Sequence, residues 1–252
     1  TLDSQSNLAS VYWEQGRYAE AEPLFLVTLE GLRRVLGTDD TTTLRTMLNL
    51  ANLYAAQGRN AEVEPLLLEA LDSASCVLSE ESATTLSMMS SLAHLYRDQG
   101  RLAEAEVLLL ETLAIEQRVL GEDNPETLRS MQDMAYLYSQ QRRYAEAEQM
   151  YLEALGALKR NLGEKHSATL GTMCELAGLY RLQGRYAEAE SLLLAALEIW
   201  QREFSKTHAG TLMTMTSLAH LYARQGRSSE AEALLLETLE IQKRVLGVEH
   251  AN

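Results

Sequence analysis

Hydrophobic residues recur along the chain at spacings of three and four, the pattern of a helix that buries one side. One such stripe includes Leu44, Met47, Ala51 and Tyr54. It predicts an amphipathic helix over about residues 43–56, which we call helix A. The positions between these residues are mostly polar, so the opposite side of the helix is expected to face solvent or a partner.

A second and longer stripe follows, beginning at Val63 and ending at Leu78, and it predicts a helix B. Between the two, Gln57-Gly58-Arg59 interrupts the pattern, because glycine reaches the left-handed conformation that ends a helix without a steric penalty. Further signals predict where the helices stop and start. The predicted ends of helix B are Gly37, Gly121, Gly163 and Gly247, and the predicted caps of helix A are Thr43, Thr85, Thr127, Thr169 and Thr211.

The whole pattern repeats with a period of 42 residues, so that six copies account for all 252 residues. The turn Gln15-Gly16-Arg17 returns at Gln57, Gln99, Gln141, Gln183 and Gln225, with arginine replacing glycine in the fourth copy. A helical hairpin cannot bury its apolar side alone, so consecutive copies must stack. The sequence therefore predicts an all-α, right-handed superhelical solenoid of helix-turn-helix repeats. Its expected organisation is a single domain, 1–252, with repeats 1–42, 43–84, 85–126, 127–168, 169–210 and 211–252.

The spacing of Met47, Leu50, Ala51, Tyr54, Val63, Leu67 and Ala70 resembles the tetratricopeptide signature, and all six copies carry it. The segment from Leu176 to Glu190 is similar to the 42-residue variant found in kinesin light chains and in sensor regions of some nucleotide-binding signalling proteins. This resemblance implies a protein-binding scaffold in which helix A of each repeat lines a concave groove.

Composition narrows the choice of partner. The formal net charge of −14 argues against nucleic acid and against an anionic membrane. No apolar run is long enough to span a bilayer, and Cys76 and Cys174 are too isolated for a disulfide framework or a zinc site. We expect a cytoplasmic protein without metal or cofactor.

Catalytic signatures are missing from the sequence. It has no phosphate-binding glycine loop, no Gly-x-Ser-x-Gly elbow and no His-Glu-x-x-His motif. Cys174 lies beside Glu175, whose charge is expected to raise the pKa of the thiol and weaken it as a nucleophile. The protein is not expected to be an enzyme.

The groove implied by the resemblance gives a set of candidate peptide-binding residues on helix A. They are Asn7, Arg45, Asn49, Asn52, His94, Arg97, Arg129, Tyr136, Arg181, His220 and Arg224. The arginines and histidines place bases in an acidic chain and suit an extended peptide that carries carboxylates, while Tyr136 offers an aromatic anchor. Each exposed arginine could equally be a solvated residue or the partner of a glutamate in its own helix.

Two functions fit these features. The first is binding of an extended peptide or linear motif, including an acidic one, in the groove. The alternative is an architectural or self-associating segment, or the sensor region, of a larger signalling protein, with the groove filled by a neighbouring domain.

Overall fold

The computed structural model describes residues 2–249, and all of their side chains except those of residues 3, 75–77 and 246–249. Cys76 and the end of the sixth repeat therefore lie outside the described side chains. Within residues 2–249 the secondary structure is entirely helical. The helices are α1 (Leu2–Glu14), α2 (Tyr18–Val35), α3 (Thr41–Ala56), α4 (Asn60–Val77), α5 (Ala83–Asp98), α6 (Leu102–Val119), α7 (Pro125–Gln140), α8 (Tyr144–Asn161), α9 (Ser167–Leu182), α10 (Tyr186–Glu203), α11 (Ala209–Arg224) and α12 (Ser228–Glu249).

These helices belong to two compact units, Thr1–Glu122 and Asp123–Asn252. Unit 1 contains α1 to α6 and unit 2 contains α7 to α12. In each unit the odd-numbered helix packs on the next even-numbered helix to form a hairpin, and that even-numbered helix packs on the following hairpin. Successive odd-numbered helices of a unit also touch one another. The predicted all-α array of helix-turn-helix repeats is confirmed, with the odd-numbered helices as A and the even-numbered helices as B.

The prediction that threonine caps helix A is wrong. Helix α3 begins at Thr41, and Asp40 is the cap, since its Oδ1 accepts a hydrogen bond from the amide of Thr42 at 2.8 Å. Thr43 lies inside the first turn and donates its hydroxyl to the carbonyl oxygen of Gly37 at 2.8 Å. A cap must accept a hydrogen bond, whereas this hydroxyl is used as a donor that closes the preceding turn. Side chains also cap α7, α9 and α11, at Asn124, His166 and His208, whereas Ser82 before α5 makes no side-chain cap.

Glycine ends helix B at three of the four predicted positions. Gly37, Gly121 and Gly163 have φ of 94°, 91° and 89° and stand just past the ends of their helices. Gly247 does not, because α12 continues to Glu249. Glycine tolerates a helical backbone at a cost of about 1 kcal/mol relative to alanine, so it permits a stop without imposing one. In the turn of the fourth repeat, Arg142 adopts a φ of 63°, the left-handed region that glycine takes in the other copies.

An arginine clasp joins consecutive hairpins inside each unit. Arg59, which follows the turn glycine, stacks its guanidinium 4.1 Å from the centre of the Tyr54 ring. Its Nη1 donates to Glu22 of the preceding hairpin at 2.7 Å, and its Nη2 pairs with Glu62 at 2.5 Å. The other clasps that link hairpins are Arg101 with Glu64, Arg185 with Glu148 and Arg227 with Glu190.

The clasp gives glutamates near the start of helix B a specific partner. The helix dipole favours negative charge there in general, whereas the clasp accounts for the particular glutamate that pairs with the next hairpin. Hydrogen bonding from Arg227 lowers the pKa of Glu190 against the opposing effect of burial. A carboxylate whose pKa is depressed in the folded state stabilises the fold at neutral pH, and that contribution is lost as the pH falls through the depressed pKa. The negative charge of Glu190 therefore stabilises the stacking of its hairpin on the next one.

A cluster of aromatic rings replaces the usual Leu-Gly stop in the fifth repeat. Trp200 lies 4.6 Å from Phe204 and stacks on the ring of His208 at 4.7 Å, measured between ring centres. Gly210, at the start of α11, faces the indole so closely that a Cβ atom would lie 2.5 Å from Cζ2 of Trp200. Trp200 on α10 therefore occupies the space that a side chain at position 210 on α11 would need.

Candidate peptide-binding face

The exposed side of the A helices forms a mixed apolar and charged surface in unit 2. We call it the A-helix face of unit 2 and define it by the exposed or half-buried side chains of α7, α9 and α11. Three large apolar side chains lie on it, with Tyr136 46%, Leu182 51% and Met213 70% exposed. Burying such side chains against a partner is favourable by about 25 cal/mol for each Å² of apolar surface. This face is therefore suited to binding.

The predicted residues of unit 1 are divided between solvent and packing. Asn7 on α1 and Arg45 on α3 are exposed. Asn52 is half-buried and accepts a hydrogen bond from Oγ of Ser91 on α5 at 3.2 Å. Asn52 therefore helps to hold two A helices together.

The remaining predicted residues of unit 1 are also partly engaged. Asn49 on α3 and His94 on α5 are half-buried. Arg97 is half-buried and forms an ion pair with the adjacent Asp98 at 3.0 Å. This pairing within one helix is the alternative to ligand binding that the sequence left open for each arginine. To bind a ligand carboxylate, Arg97 would have to give up its ion pair with Asp98.

In unit 2 the predicted bases differ in their availability. Arg129 pairs with Glu126 one turn earlier in α7 at 3.0 Å. Arg181 is half-buried on α9, while His220 and Arg224 on α11 are exposed. Within residues 2–249 no ion pair engages Arg181 or Arg224. Of the three arginines predicted in unit 2, Arg181 and Arg224 are therefore the two whose guanidiniums are available to a carboxylate from outside.

A recess brings two of the predicted residues together. It has a volume of about 160 Å³ and lies among α7, α8 and α9. Its walls are mainly apolar, with two charged groups at the α9 side. The side chains and backbone that line it include Tyr136, Tyr151, Glu175, Gly178, Arg181 and Leu182. Tyr136 and Arg181 are binding residues predicted from the sequence, whereas Tyr151 comes from a helix B and is not one of them.

Two glycines lie inside α9, and one of them, Gly178, lines the recess. A Cβ atom added at Gly171 or at Gly178 would meet no atom within 4 Å. Each glycine costs a helix interior about 1 kcal/mol relative to alanine, and the packing of the described residues does not require either of them. Position 178 corresponds in the repeat to Asn52, His94 and Tyr136, which all carry side chains.

The carboxyl group of Glu175 has an unusual pKa. Loss of bulk water in the recess, together with the negative charge of Asp133 on α7, raises the pKa of Glu175 to about 7. The side chain nevertheless keeps more than a third of its surface accessible, so solvent screens part of the effect. The other titratable or charged groups around the recess are Tyr136 on α7, Tyr151 on α8 and Arg181 on α9.

Replacing Glu175 by glutamine should make stability less sensitive to pH. An unfolded glutamate loses its proton near 4.5 and the folded one near 7, so the wild-type fold loses stability as the pH rises between these values. After discounting for solvent screening, we expect E175Q to be about 1 kcal/mol more stable than wild type at pH 8. At pH 4 the two proteins should differ little. Urea denaturation at both pH values measures this, and equal differences at the two pH values would contradict it.

Cys174 neighbours the recess but is a poor nucleophile. Burial, reinforced by the charge of Glu175, raises the pKa of its thiol, and the opposing hydrogen bond with Thr214 is weaker. Sγ of Cys174 lies 3.3 Å from Oγ1 of Thr214 on α11. The thiol is thus part of the contact between two A helices.

In the described part of the chain, no helix is both long enough and apolar enough to cross a bilayer. The described side chains include no group of three histidine, cysteine or carboxylate residues arranged for a metal ion. The candidate site is the recess together with the face around it.

Paired helices that repeat in register and expose one side of every A helix define the class of helical-repeat binding proteins. The family model of the tetratricopeptide repeat matches residues 1–75, 83–160 and 168–244. The chain belongs to the tetratricopeptide repeat family, whose members generally mediate protein–protein interactions. No curated protein sequence matches the chain.

Solved structures share the fold. A Podosopora anserina protein described as a kinesin light chain with nearly identical TPR-like repeats is 27% identical, with a TM-score of 0.68, and the match covers 81% of this chain and 96% of that one. Another similar structure is a signal-transduction ATPase from Pyrococcus horikoshii with a tetratricopeptide repeat sensor. It is 16% identical, with a TM-score of 0.73, and the match covers 95% of this chain and 35% of that one. A Rap protein in complex with competence and sporulation factor is 10% identical, with a TM-score of 0.66, and the match covers 96% of this chain and 75% of that one. The kinesin-light-chain-like character of the repeats is thereby confirmed.

Proposed function

We propose that the A-helix faces of the protein bind extended segments of partner proteins, and that unit 2 selects segments carrying carboxylates. The observation that carries the proposal is the combination, on α9 and α11, of exposed apolar side chains with two guanidiniums that form no ion pair with any described side chain. Leu182 lies next to Arg181, and Met213 shares α11 with Arg224. Apolar surface supplies affinity, and arginine fixes the position of a carboxylate through charge-assisted hydrogen bonds.

In unit 1 the same function is assigned to Asn7, Arg45, Asn49, Asn52, His94 and Arg97, with Arg45 as the exposed base. In unit 2 it is assigned to Arg129, Tyr136, Arg181, His220 and Arg224. The fold supports this assignment because A helices of tetratricopeptide repeats present successive positions along one side. The Rap structure named above, which holds a factor in its complex, is a relative in fold alone.

The test begins with a phage-displayed library of random 12-residue peptides selected against the purified chain. Enriched peptides are then synthesised with a fluorescent label, and their affinities are measured by fluorescence anisotropy. We expect R181E/R224E to weaken binding of carboxylate-containing peptides by at least tenfold, which corresponds to about 1.4 kcal/mol. The matched control is K243E/R244E, which makes the same change in net charge at two exposed residues of α12, a B helix.

Two outcomes would contradict the proposal. One is a selection that enriches no peptide over an unrelated protein. The other is a set of enriched peptides whose affinities respond equally to R181E/R224E and to K243E/R244E, since binding would then follow net charge and not this face.

A further inference from the structure

The recess among α7, α8 and α9 has the size of a pocket for one side chain. Its volume is about 160 Å³. An engineered apolar cavity of about 150 Å³ in another protein holds a benzene molecule. A leucine or methionine side chain is therefore of the right size, and the mainly apolar walls of the recess favour such an occupant over a polar one.

Gly178 makes this pocket accessible to a ligand backbone. Because nothing lies within 4 Å of where its Cβ would be, an extended segment can approach the α9 backbone more closely there than at the equivalent Tyr136. Close approach is what allows a side chain of the segment to enter the recess. Interior glycines with no packing requirement are otherwise unfavourable in a helix.

The charge around the recess indicates what should stand beside that apolar side chain. Asp133 and Glu175 occupy equivalent positions on α7 and α9, 42 residues apart. Their repulsion is strong enough to help raise the pKa of Glu175. Glu175 lines the recess itself and its side chain is exposed, as the carboxylate partner of a ligand must be. A cation from the ligand placed near Glu175 would offset the repulsion from Asp133 and stabilise the charged form of Glu175.

We propose that this recess is a specificity pocket for a leucine-sized apolar side chain whose neighbour in the partner segment is lysine or arginine. The inference rests on the proposed function, because it assigns one position within the segment that the A-helix face of unit 2 binds. Carboxylates elsewhere in the segment meet Arg181 and Arg224, while the basic residue meets Glu175. The preferred partner thus has mixed charge, with its basic residue next to its apolar anchor.

The peptide selection described above supplies the probes. At pH 8, where Glu175 is mostly ionised, we expect enriched peptides to share leucine or methionine adjacent to lysine or arginine. G178H, which places in α9 the residue found at the equivalent positions 94 and 220, should weaken these peptides at least tenfold. The matched control is G171A, which fills the other open glycine of α9 outside the recess and should change affinity less than twofold.

A second pair of measurements keeps the test independent of how G178H folds. D133N/E175Q removes both charges with little change in shape and should weaken the lysine-containing peptides at least fivefold. The same peptides with norleucine in place of the lysine should bind both proteins equally. Enrichment of peptides that lack the apolar–basic pair, or indifference of the enriched peptides to both G178H and D133N/E175Q, would overturn the pocket. Sensitivity to R181E/R224E in the same assay would show that the general binding function stands even so.

Discussion

Replacing Gly210 by alanine is expected to destabilise unit 2 by about 2 kcal/mol, although the same change usually stabilises a helix. The new Cβ would lie 2.5–2.6 Å from three atoms of the Trp200 indole. That ring is buried, stacks on His208 and contacts the tilted ring of Phe204, so it cannot move aside without disturbing the cluster. Overpacking of this kind typically costs 1–3 kcal/mol, which exceeds the gain in helix propensity.

The fourth repeat supplies the rescue for this variant. Its equivalents of Trp200 and Gly210 are Leu158 and Ala168, a smaller side chain facing a larger one. In the background W200L, G210A should therefore become neutral or stabilising. The four proteins of this double-mutant cycle are compared by urea denaturation followed by circular dichroism. If G210A lowers the free energy of unfolding by the same amount in both backgrounds, the contact with Trp200 is not what restricts position 210 to glycine.

Replacing Ala219 by leucine is expected to destabilise unit 2 by about 2–3 kcal/mol. Ala219 on α11 is fully buried, as are its equivalents Ala51, Ala93 and Ala135. Adding three carbons there forces neighbouring side chains out of their preferred rotamers or moves the helices apart. Alanine at this position lets α11 pack closely within its hairpin.

The control for Ala219 lies one turn further along the same helix. Ala223 is exposed, so A223L makes the same change in composition without overpacking and should alter stability by about 0.5 kcal/mol or less. Thermal unfolding followed by circular dichroism compares the two variants. Similar transition temperatures for A219L and A223L would mean that the burial of Ala219 does not limit the size of that residue.

The helices were predictable because their signals are local. Helix α3 was expected over residues 43–56 and is found over 41–56, since its stripe and its terminal glycine turn are both visible in a short window. The caps were not predictable in the same way. Thr43 and Asp40 are both good cap residues by type, and the choice depends on which side-chain oxygen can reach an amide and which hydroxyl faces the carbonyl of Gly37.

The candidate site was predictable only in part. Tyr136 and Arg181 were chosen because their positions on helix A are outward in the repeat, and both line the recess. The recess itself depends on Tyr151, which comes from helix B, and on the side chain that Gly178 lacks. A sequence pattern records which residues share one face of a helix, but not the space left where three helices meet. The glycines inside α9 were the one signal in the sequence that pointed to open space on this helix, because no turn accounts for them. That all six repeats form one domain remains a prediction.

The arginine clasp has a consequence for how such a chain can change its length. A hairpin can carry both an arginine after its turn and a glutamate in its helix B. The arginine pairs with the preceding hairpin and the glutamate pairs with the following one, as the pair Arg101–Glu64 shows for two neighbouring hairpins. A duplicated 42-residue segment would consequently carry an arginine that can pair with the hairpin before it and a glutamate that can pair with the hairpin after it. Whole hairpins can then be gained or lost in evolution without any compensating substitution, whereas a deletion of a few residues would leave an arginine and a glutamate out of reach of each other.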